Sequence, residues 1–190
     1  MPNWCNNTLI ITGPEDKIQE FKERANAYGP DYAEPEWKNS LPKQKKEKNL
    51  LSFHAFVPVP RDIQARTYGG EHESRSVDSW NDQTDEHWLE NEKLPCGYEW
   101  EIENWGCKWG ACNVRLYNRE LGEPLEYAFE TPWGPPEEFL DKVSEMYPEL
   151  KFHLNFSEEG MYFEGRLVYT KGDSLEKTYK KMEATLEEEE

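Results

Sequence analysis

Two alternating segments near the C-terminus constrain the fold of this 190-residue chain most strongly. Residues 150–157 (LKFHLNFS) place Phe152, Leu154 and Phe156 at every second position, and residues 161–170 (MYFEGRLVYT) continue the alternation. A period of two indicates β-strands that bury one face. Because a short Glu-Glu-Gly segment joins the two strands, they predict a β-hairpin in an antiparallel sheet that packs on helices with one face only.

The rest of the chain supplies further elements for such a sheet. Residues 7–12 predict a strand that ends at Gly13, and the spacing of Ile18, Phe21 and Ala25 predicts a helix after Pro14. Further patterns predict a strand in residues 50–60, a helix that carries Tyr98, Ile102 and Trp105 and ends at Gly106, a hairpin of residues 112–119 and 124–131, a helix that begins at Pro135, and a final helix that carries Leu175, Tyr179, Met182 and Leu186.

This order of elements predicts an α+β protein with a ferredoxin-like sandwich, in which an antiparallel sheet carries helices on one face. A large polar and acidic insertion and a C-terminal helix are added to that core. The length fits a single domain that spans residues 1–190. We place insertions or loops at residues 30–49 and 61–97, and the C-terminal helix with its acidic tail at residues 172–190.

The charge of the chain limits the partners that it can bind. The formal net charge is −17, and residues 71–105 hold eleven acidic residues against Arg75 and Lys93. Nucleic acids and anionic membranes are bound largely through cations, so the sequence argues against both. An acidic surface instead suits a protein partner, and in particular a basic one. No oligomeric state follows from the sequence.

Nothing in the sequence marks a secretory leader, a membrane span, a cofactor or a metal site. The N-terminus has no basic segment followed by a long apolar run, so we expect a cytoplasmic protein. The four cysteines are scattered, with no C-x2-C or H-x3-H spacing, which predicts reduced and mostly buried thiols. No catalytic residue is predicted, because no local signature supports Cys107 or Cys112 as a nucleophile.

Three tryptophan-centred stretches are the candidates for a binding site: MPNWCNN at the start, ENWGCKWG at 103–110 and TPWGPP at 131–136. Aromatic walls with a few polar anchors suit a ligand. The candidate groove consists of Asn3, Trp4, Asn104, Trp105, Lys108, Trp109, Thr131 and Trp133. The alternative interpretation is that these rings fix turns to the core, and their Gly and Pro neighbours favour it. On that interpretation Trp109→Ala costs about 3–5 kcal/mol.

The same stretches, together with HLNFSEEGMYFEG at 153–165, resemble the YubB-like ferredoxin-like domain family of bacterial plasmids and phages. The similarity covers most of the chain in the same order. The family tends to have threonine where this chain has Cys107, so a role for a hydroxyl group there is not carried over. The resemblance implies the ferredoxin-like fold and a mobile-element context, and it implies no catalytic residue.

The sequence therefore predicts a non-enzymatic binding module that meets another protein through an acidic surface. The alternative is a small-molecule or nucleotide-binding enzyme that uses the region of Trp105, Lys108 and Trp133. Exposure of these residues in one concave cluster would favour the enzyme, and their burial would favour the module. A third possibility, RNA stacking on the open face of the sheet, is disfavoured by the net charge. Its candidate platform is Arg115, Tyr117, Lys151, His153, Tyr162 and Arg166.

Overall fold

The computed structural model describes residues 2–34, 46–66, 68–69, 95–117 and 123–182, and these form six strands, four α-helices and one 3₁₀ helix. The strands are β1 (Trp4–Thr12), β2 (Cys112–Tyr117), β3 (Leu125–Pro132), β4 (Lys151–Glu158), β5 (Phe163–Thr170) and β6 (Asp173–Lys181). The helices are α1 (Glu15–Ala25), the 3₁₀ helix (Phe53–Ala55), α2 (Arg61–Gln64), α3 (Gly97–Trp105) and α4 (Glu137–Met146).

All six strands form one antiparallel sheet in the order β2-β3-β1-β4-β5-β6. Strand β1 pairs with β3 on one side and with β4 on the other, so β3 separates β1 from β2. This is the split β-α-β arrangement of the ferredoxin-like core. Strands β5 and β6 then extend the sheet beyond β4 as a meander, and the predicted hairpins β2-β3 and β4-β5 are both confirmed.

The core lies between the helices and one face of the sheet. Leu9 and Ile11 of β1 are buried on that face. The residues that alternate with them along the strand face the other side of the sheet and are half-buried. Aromatic rings fill the space between the sheet and the helices, and Phe53 stacks on Phe139 with ring centroids 3.9 Å apart. Phe21 of α1 stacks in the same way on Phe56. The prediction that helices cover only one sheet face agrees with this burial pattern.

The predicted strand in residues 50–60 is wrong, because this segment contains the 3₁₀ helix instead. Its apolar residues do not alternate, and Leu51, Phe53, Phe56, Val57 and Val59 are all buried in the core. The backbone forms its hydrogen bonds within tight turns, since the amide groups of residues 56 and 57 both donate to the carbonyl of residue 53. A segment whose amide groups bond within its own turns needs no neighbouring strand there.

The predicted C-terminal helix is also wrong, since its first half forms β6. The chain turns back at Lys171 and Gly172, both in left-handed conformation (φ 56° and 77°), and then pairs with β5 along its length. Tyr179 packs on Phe156, with ring centroids 4.9 Å apart. Leu186, the last residue of the predicted apolar stripe, lies outside the described residues, as does the acidic tail.

The predicted insertions are described only in part. In residues 61–97 the structure adds the short helix α2 and the first residue of α3, and most of the acidic stretch lies outside the described ranges. In residues 30–49, Asn49 forms an isolated bridge with Ala27. The extent of the single domain stays a prediction. None of the helices within the described ranges has the length and apolar character needed to cross a membrane.

Gly165 of β5 permits a close approach that a side chain would prevent. A Cβ atom there would lie 2.1 Å from the carbonyl oxygen of Thr178 and 2.4 Å from the ring of Phe156. We expect Gly165→Ala to lower the free energy of unfolding by about 1–3 kcal/mol, measured by urea denaturation. Gly29→Ala is the matched control, since a Cβ atom there meets nothing within 4 Å. Equal stability of the two variants would contradict the β5-β6 packing.

Candidate functional site

One end of the sheet gathers several exposed aromatic side chains from separate elements. The register places Trp4 of β1 opposite Pro132 of β3, and Cys5 opposite Glu158 of β4. The start of β1, the turn after β3, the β4-β5 turn and the segment before β2 therefore meet at this end. We call this group of side chains the aromatic end: it consists of the half-buried Trp4 and the exposed Trp109, Trp133, Met161 and Tyr162.

Three of these aromatic residues are exposed and also have unfavourable backbone conformations. Trp109, Trp133 and Tyr162 have φ values of 67°, 72° and 56°, in the left-handed region that bulky residues rarely adopt. Their exposed fractions are 45%, 50% and 55%. Such strain costs of order 1–3 kcal/mol per residue and tends to persist at functional sites. Burial does not offset this cost here, because each ring is about half in solvent.

The rings at the β1 and β2 side form a continuous apolar surface that carries one cation. The ring centroids of Trp4 and Trp109 are 6.2 Å apart. The ammonium of Lys108 lies 4.2 Å from the centroid of Trp109 and 5.7 Å from that of Tyr98. Lys108 is thus half-buried against ring faces, in a cation–π arrangement. One face of the Trp109 ring therefore already carries a positive charge.

Hydrogen bonds hold the turn that carries Trp133. Its backbone amide donates to the carbonyl of Asn3 at 2.9 Å. The buried Thr131 hydroxyl donates to the carbonyl of Gly134 at 2.7 Å and accepts from the amide group of Asn7 at 2.7 Å. Asn3 and Thr131 therefore both lie at this end of the sheet, but Thr131 is fully buried and supports the turn instead of lining a groove.

The β4-β5 turn is held in a similar way by the buried carboxylate of Glu158. Its two oxygens accept the amide groups of Gly160 at 2.8 Å and of Met161 at 2.5 Å. At Gly160 an added Cβ atom would lie 2.6 Å from the side chain of Asn3, so this turn also packs on the N-terminus. The exposed rings at this end are therefore presented by rigid turns.

Two of the predicted groove residues lie elsewhere, which corrects the prediction. Trp105 is 1% exposed, and its indole N–H donates to the carbonyl of Val57 at 2.9 Å. Its ring meets Phe53 edge-on in the core. Asn104 bonds to the carbonyl of Trp100 and accepts from the ammonium of Lys142 on α4 at 2.6 Å. The alternative interpretation had made core anchors of all these rings; it fits Trp105, and it does not fit Trp109, whose ring is half exposed.

Beneath Trp109 lies a buried carboxylate that the sequence did not reveal. Glu101 is 1% exposed and accepts three hydrogen bonds. The donors are the hydroxyl of Tyr32 at 2.8 Å, the hydroxyl of Tyr68 at 2.9 Å and the backbone amide of Trp109 at 2.7 Å. Burial raises the pKa of Glu101, and the three hydrogen bonds oppose that shift only in part. Glu101 thus fixes the left-handed conformation at Trp109.

The apolar pattern of α3 concealed Glu101. Tyr98 and Ile102, predicted to share a buried face with Trp105, are 40% and 41% exposed. The buried residues of the helix are Gly97, Glu101 and Trp105, spaced four apart. The sequence signal for this buried face is the glycine at position 97, four residues before Glu101. The ring of Tyr32 packs on Gly97 so closely that a Cβ atom there would lie 2.4 Å away. The predicted end of the helix at Gly106, which is left-handed at φ 78°, is confirmed.

The thiols at this end are poor nucleophiles. Burial raises the pKa of Cys5 to about 12 and also raises the pKa of Cys107 and Cys112. All four cysteines are free, and Cys5 and Cys107 are buried. Because the thiolate is the reactive form, these residues are protonated and inert near neutral pH. Among the described residues, no group of three or more His, Cys, Asp or Glu side chains could hold a metal ion.

The open face of the sheet is polar and of mixed charge. Arg166 lies 3.2 Å from the ring nitrogen Nδ1 of His153 and 3.7 Å from the carboxylate of Glu176. A shallow depression runs across β1, β4, β5 and the edge strand β6 there. Tyr162, predicted on this face, lies instead in the β4-β5 turn at the aromatic end.

An antiparallel sheet in split β-α-β order, with helices on one face, defines a ferredoxin-like α+β protein. Residues 105–190 match the family model described as "Ferredoxin-like domain in Api92-like protein". A crystal structure of protein api92 from Yersinia pseudotuberculosis matches 94% of this chain and 98% of that chain, with a TM-score of 0.55 and 11% sequence identity. A likeness at this identity shows the fold alone. No curated protein sequence matches the chain significantly.

These comparisons confirm the ferredoxin-like fold class predicted from the sequence. They show that residues 105–190 are similar to a ferredoxin-like domain of Api92-like protein, and they leave the YubB-like resemblance and its plasmid or phage context as predictions.

Proposed function

We propose that this protein is a non-enzymatic binding module that holds another protein at the aromatic end. One observation carries the proposal: Trp109, Trp133 and Tyr162 are about half exposed, and all three have left-handed backbone conformations at the same end of the sheet. Tryptophan and tyrosine are the residues that most often dominate the binding energy of protein interfaces. Strained, rigidly held and solvated rings are costly to keep unless something binds them.

The dimensions of the aromatic end suit a protein better than a small molecule. Trp109 lies next to β2 and Tyr162 next to β5, four strand positions away. At about 4.8 Å per strand, the strands beside these two residues are roughly 19 Å apart. Small-molecule sites are concave and enclose most of the ligand, whereas these rings line the rim of a sheet. The surface therefore resembles the anchor region of a protein interface.

The enzyme alternative loses its proposed site in this geometry. That alternative placed Trp105, Lys108 and Trp133 in one groove, and Trp105 lies in the core instead. The nearby thiols are buried, with raised pKa values, and offer no nucleophile. The carboxylate of Glu101 is enclosed by its three hydrogen-bond donors. No specific observation favours a second candidate function.

The charge of the chain favours a basic partner. A net charge of −17 attracts a positively charged protein over a long range and speeds its association. Arginine and lysine side chains also pack on tryptophan faces, as Lys108 already does on Trp109. We place this encounter in the cytoplasm, and the resemblance to the YubB-like family suggests a plasmid or phage setting. Gene neighbours that encode a basic protein would support that setting.

Selection from a displayed library of random linear peptides tests the proposal. We expect the protein to enrich peptides with basic residues, and we expect the double variant Trp109→Ala/Trp133→Ala to bind them about tenfold or more weakly. The double variant and the control variant must first show the circular dichroism spectrum of the wild type. Lys171→Ala, at the opposite end of the sheet, is the matched control and should bind normally. Equal affinity of the double variant would contradict the proposal, as would a selection that enriches no peptide.

A further inference from the structure

We propose that the partner binds as an extended segment that adds a strand to the free edge of β2, beside Trp109. The inference rests on the proposed function and names the way in which the partner is held. In such β-strand addition, backbone hydrogen bonds supply affinity and side-chain pockets supply specificity. The sheet has two edges, β2 and β6, and they differ in a way that singles out β2.

The β6 edge carries the charges that prevent strand pairing. Lys177, Lys180 and Lys181 are all exposed on this strand of nine residues. Lysines on an edge strand are a common protection against association, because a pairing strand would bring them out of water. Strand β2 has one charged residue, Arg115, in CNVRLY. Its Val114 and Leu116 pack against the core as half-buried side chains.

The β2 edge is free over most of its length in the part of the chain that the structure describes. Segment 46–50 approaches the start of the edge, where the side-chain amide of Asn49 donates to the carbonyl of Ala111 at 2.7 Å. No described residue makes a backbone hydrogen bond to the outer side of residues 112–117. The Asn49 side chain therefore contacts the chain just before β2 begins, and the outer side of β2 itself stays open.

A shallow depression marks the place where an incoming segment would lie. It is lined by Lys48, Leu50, Trp109, Cys112 and Val114, among others. Leu50 and Trp109 are both partly exposed, so an apolar side chain of the partner could pack between them. The depression thus joins the aromatic end to the β2 edge, and one extended peptide can contact both surfaces.

A β-bulge shapes this edge. The register with β3 shifts between Cys112 and Arg115, and Asn113 is left-handed at φ 51°. Its side chain bonds to Glu130 on β3 at 2.6 Å, which holds the bulge in place. Regular pairing with β3 resumes at residues 115–117. These residues form the template for the added strand, and the bulge leads from this template to Trp109.

Hydrogen–deuterium exchange with mass spectrometry tests this binding mode on the full chain. The probe is a synthetic peptide from the displayed-library selection. We expect the amides of residues 112–117 to exchange on the order of tenfold more slowly with the peptide bound, and those of residues 173–181 to be unchanged. If the peptide binds without protecting β2, this inference fails and the proposed function stands. If no peptide is selected, the proposed function itself fails.

Two proline variants give an independent test. Successive N–H groups along a strand point to opposite sides, so either Arg115 or Leu116 directs its N–H to the free edge. Proline is tolerated where that N–H faces solvent. We expect whichever of Arg115→Pro and Leu116→Pro keeps wild-type stability to bind the peptide about tenfold more weakly. Wild-type affinity in that variant would overturn the proposal.

A second copy of this chain is the competing occupant of the β2 edge. If protection of residues 112–117 rises with protein concentration in the absence of peptide, and light scattering shows a dimer, a second copy occupies the edge and the proposal is overturned. A monomer whose β2 edge is protected only by the peptide supports it.

Discussion

Trp105→Ala is expected to lower the free energy of unfolding by about 3–5 kcal/mol. The ring is 1% exposed, meets Phe53 and Trp100 edge-on, and donates its N–H to the carbonyl of Val57. Its removal leaves a cavity between α3 and the 3₁₀ helix, together with an unpaired carbonyl at Val57. Urea denaturation followed by circular dichroism measures the loss, because fluorescence would change with the number of tryptophans.

Trp109→Ala is the comparison that separates the two tryptophans of the same motif. Its ring is 45% exposed, and the substitution should cost less than about 2 kcal/mol. If the two variants lose equal stability, the division into a core tryptophan and a displayed tryptophan is wrong.

Glu101→Ala is expected to cost about 2–4 kcal/mol at neutral pH. The change leaves the hydroxyls of Tyr32 and Tyr68 and the amide of Trp109 without their acceptor inside the protein. Each buried and unpaired polar group costs about 1–3 kcal/mol, and the removal of a buried charge offsets part of that sum. Urea denaturation at neutral pH measures the effect.

Glu101→Gln is the matched control, and it also gives the pH dependence. An amide of the same shape can accept from Trp109 and Tyr68 and can donate to a reoriented hydroxyl of Tyr32. Because the folded protein raises the pKa of Glu101, the native state binds more protons than the unfolded state between the ordinary and the raised value. The wild type therefore loses stability as pH rises through that window.

In Glu101→Gln, residue 101 does not titrate, so it causes no fall in the free energy of unfolding as pH rises. We expect it to be at least as stable as the wild type near neutral pH, with the difference between the two proteins shrinking as pH falls below the ordinary pKa of a glutamate. A wild type that gains stability relative to Glu101→Gln as pH rises would contradict the burial of this carboxylate.

The parts of the fold that the sequence predicted are those with strong local patterns. The alternation in residues 150–157 and 161–170 gave β4 and β5, and the helical spacing after Pro14 gave α1. Gly106 correctly marked the end of α3, because only glycine adopts a left-handed cap without strain. Local chemistry was sufficient in these places to specify the element.

The errors arise where tertiary contacts decide. Leu175, Tyr179 and Met182 fit a helix by spacing, yet pairing with β5 and the contact of Tyr179 with Phe156 hold the segment as β6. The segment from residue 50 to 60 places most of its apolar residues in the core without alternation, and such apolar runs do not reveal whether they form strands or turns.

The site could be predicted only in outline. The sequence brought Trp4, Trp109 and Trp133 together, and the register of β1 and β3 together with the ring contact of Trp4 and Trp109 agrees with that grouping. It could not show that Trp105 is buried and Trp109 exposed. The burial of Trp105 depends on which face of α3 packs on the core, and the exposure of Trp109 depends on the turn after Gly106. Tyr162 was missed because its left-handed conformation lifts it out of the strand pattern.

The stability of Trp133→Gly tests the central claim most directly. Trp133 is 50% exposed at φ 72°, a conformation that glycine adopts without strain. If the ring is displayed for a partner, its removal should leave the free energy of unfolding within about 1 kcal/mol of the wild type, or raise it. A loss of about 3 kcal/mol or more in urea denaturation would show that Trp133 stabilises the core, and would contradict the assignment of the aromatic end as a binding surface.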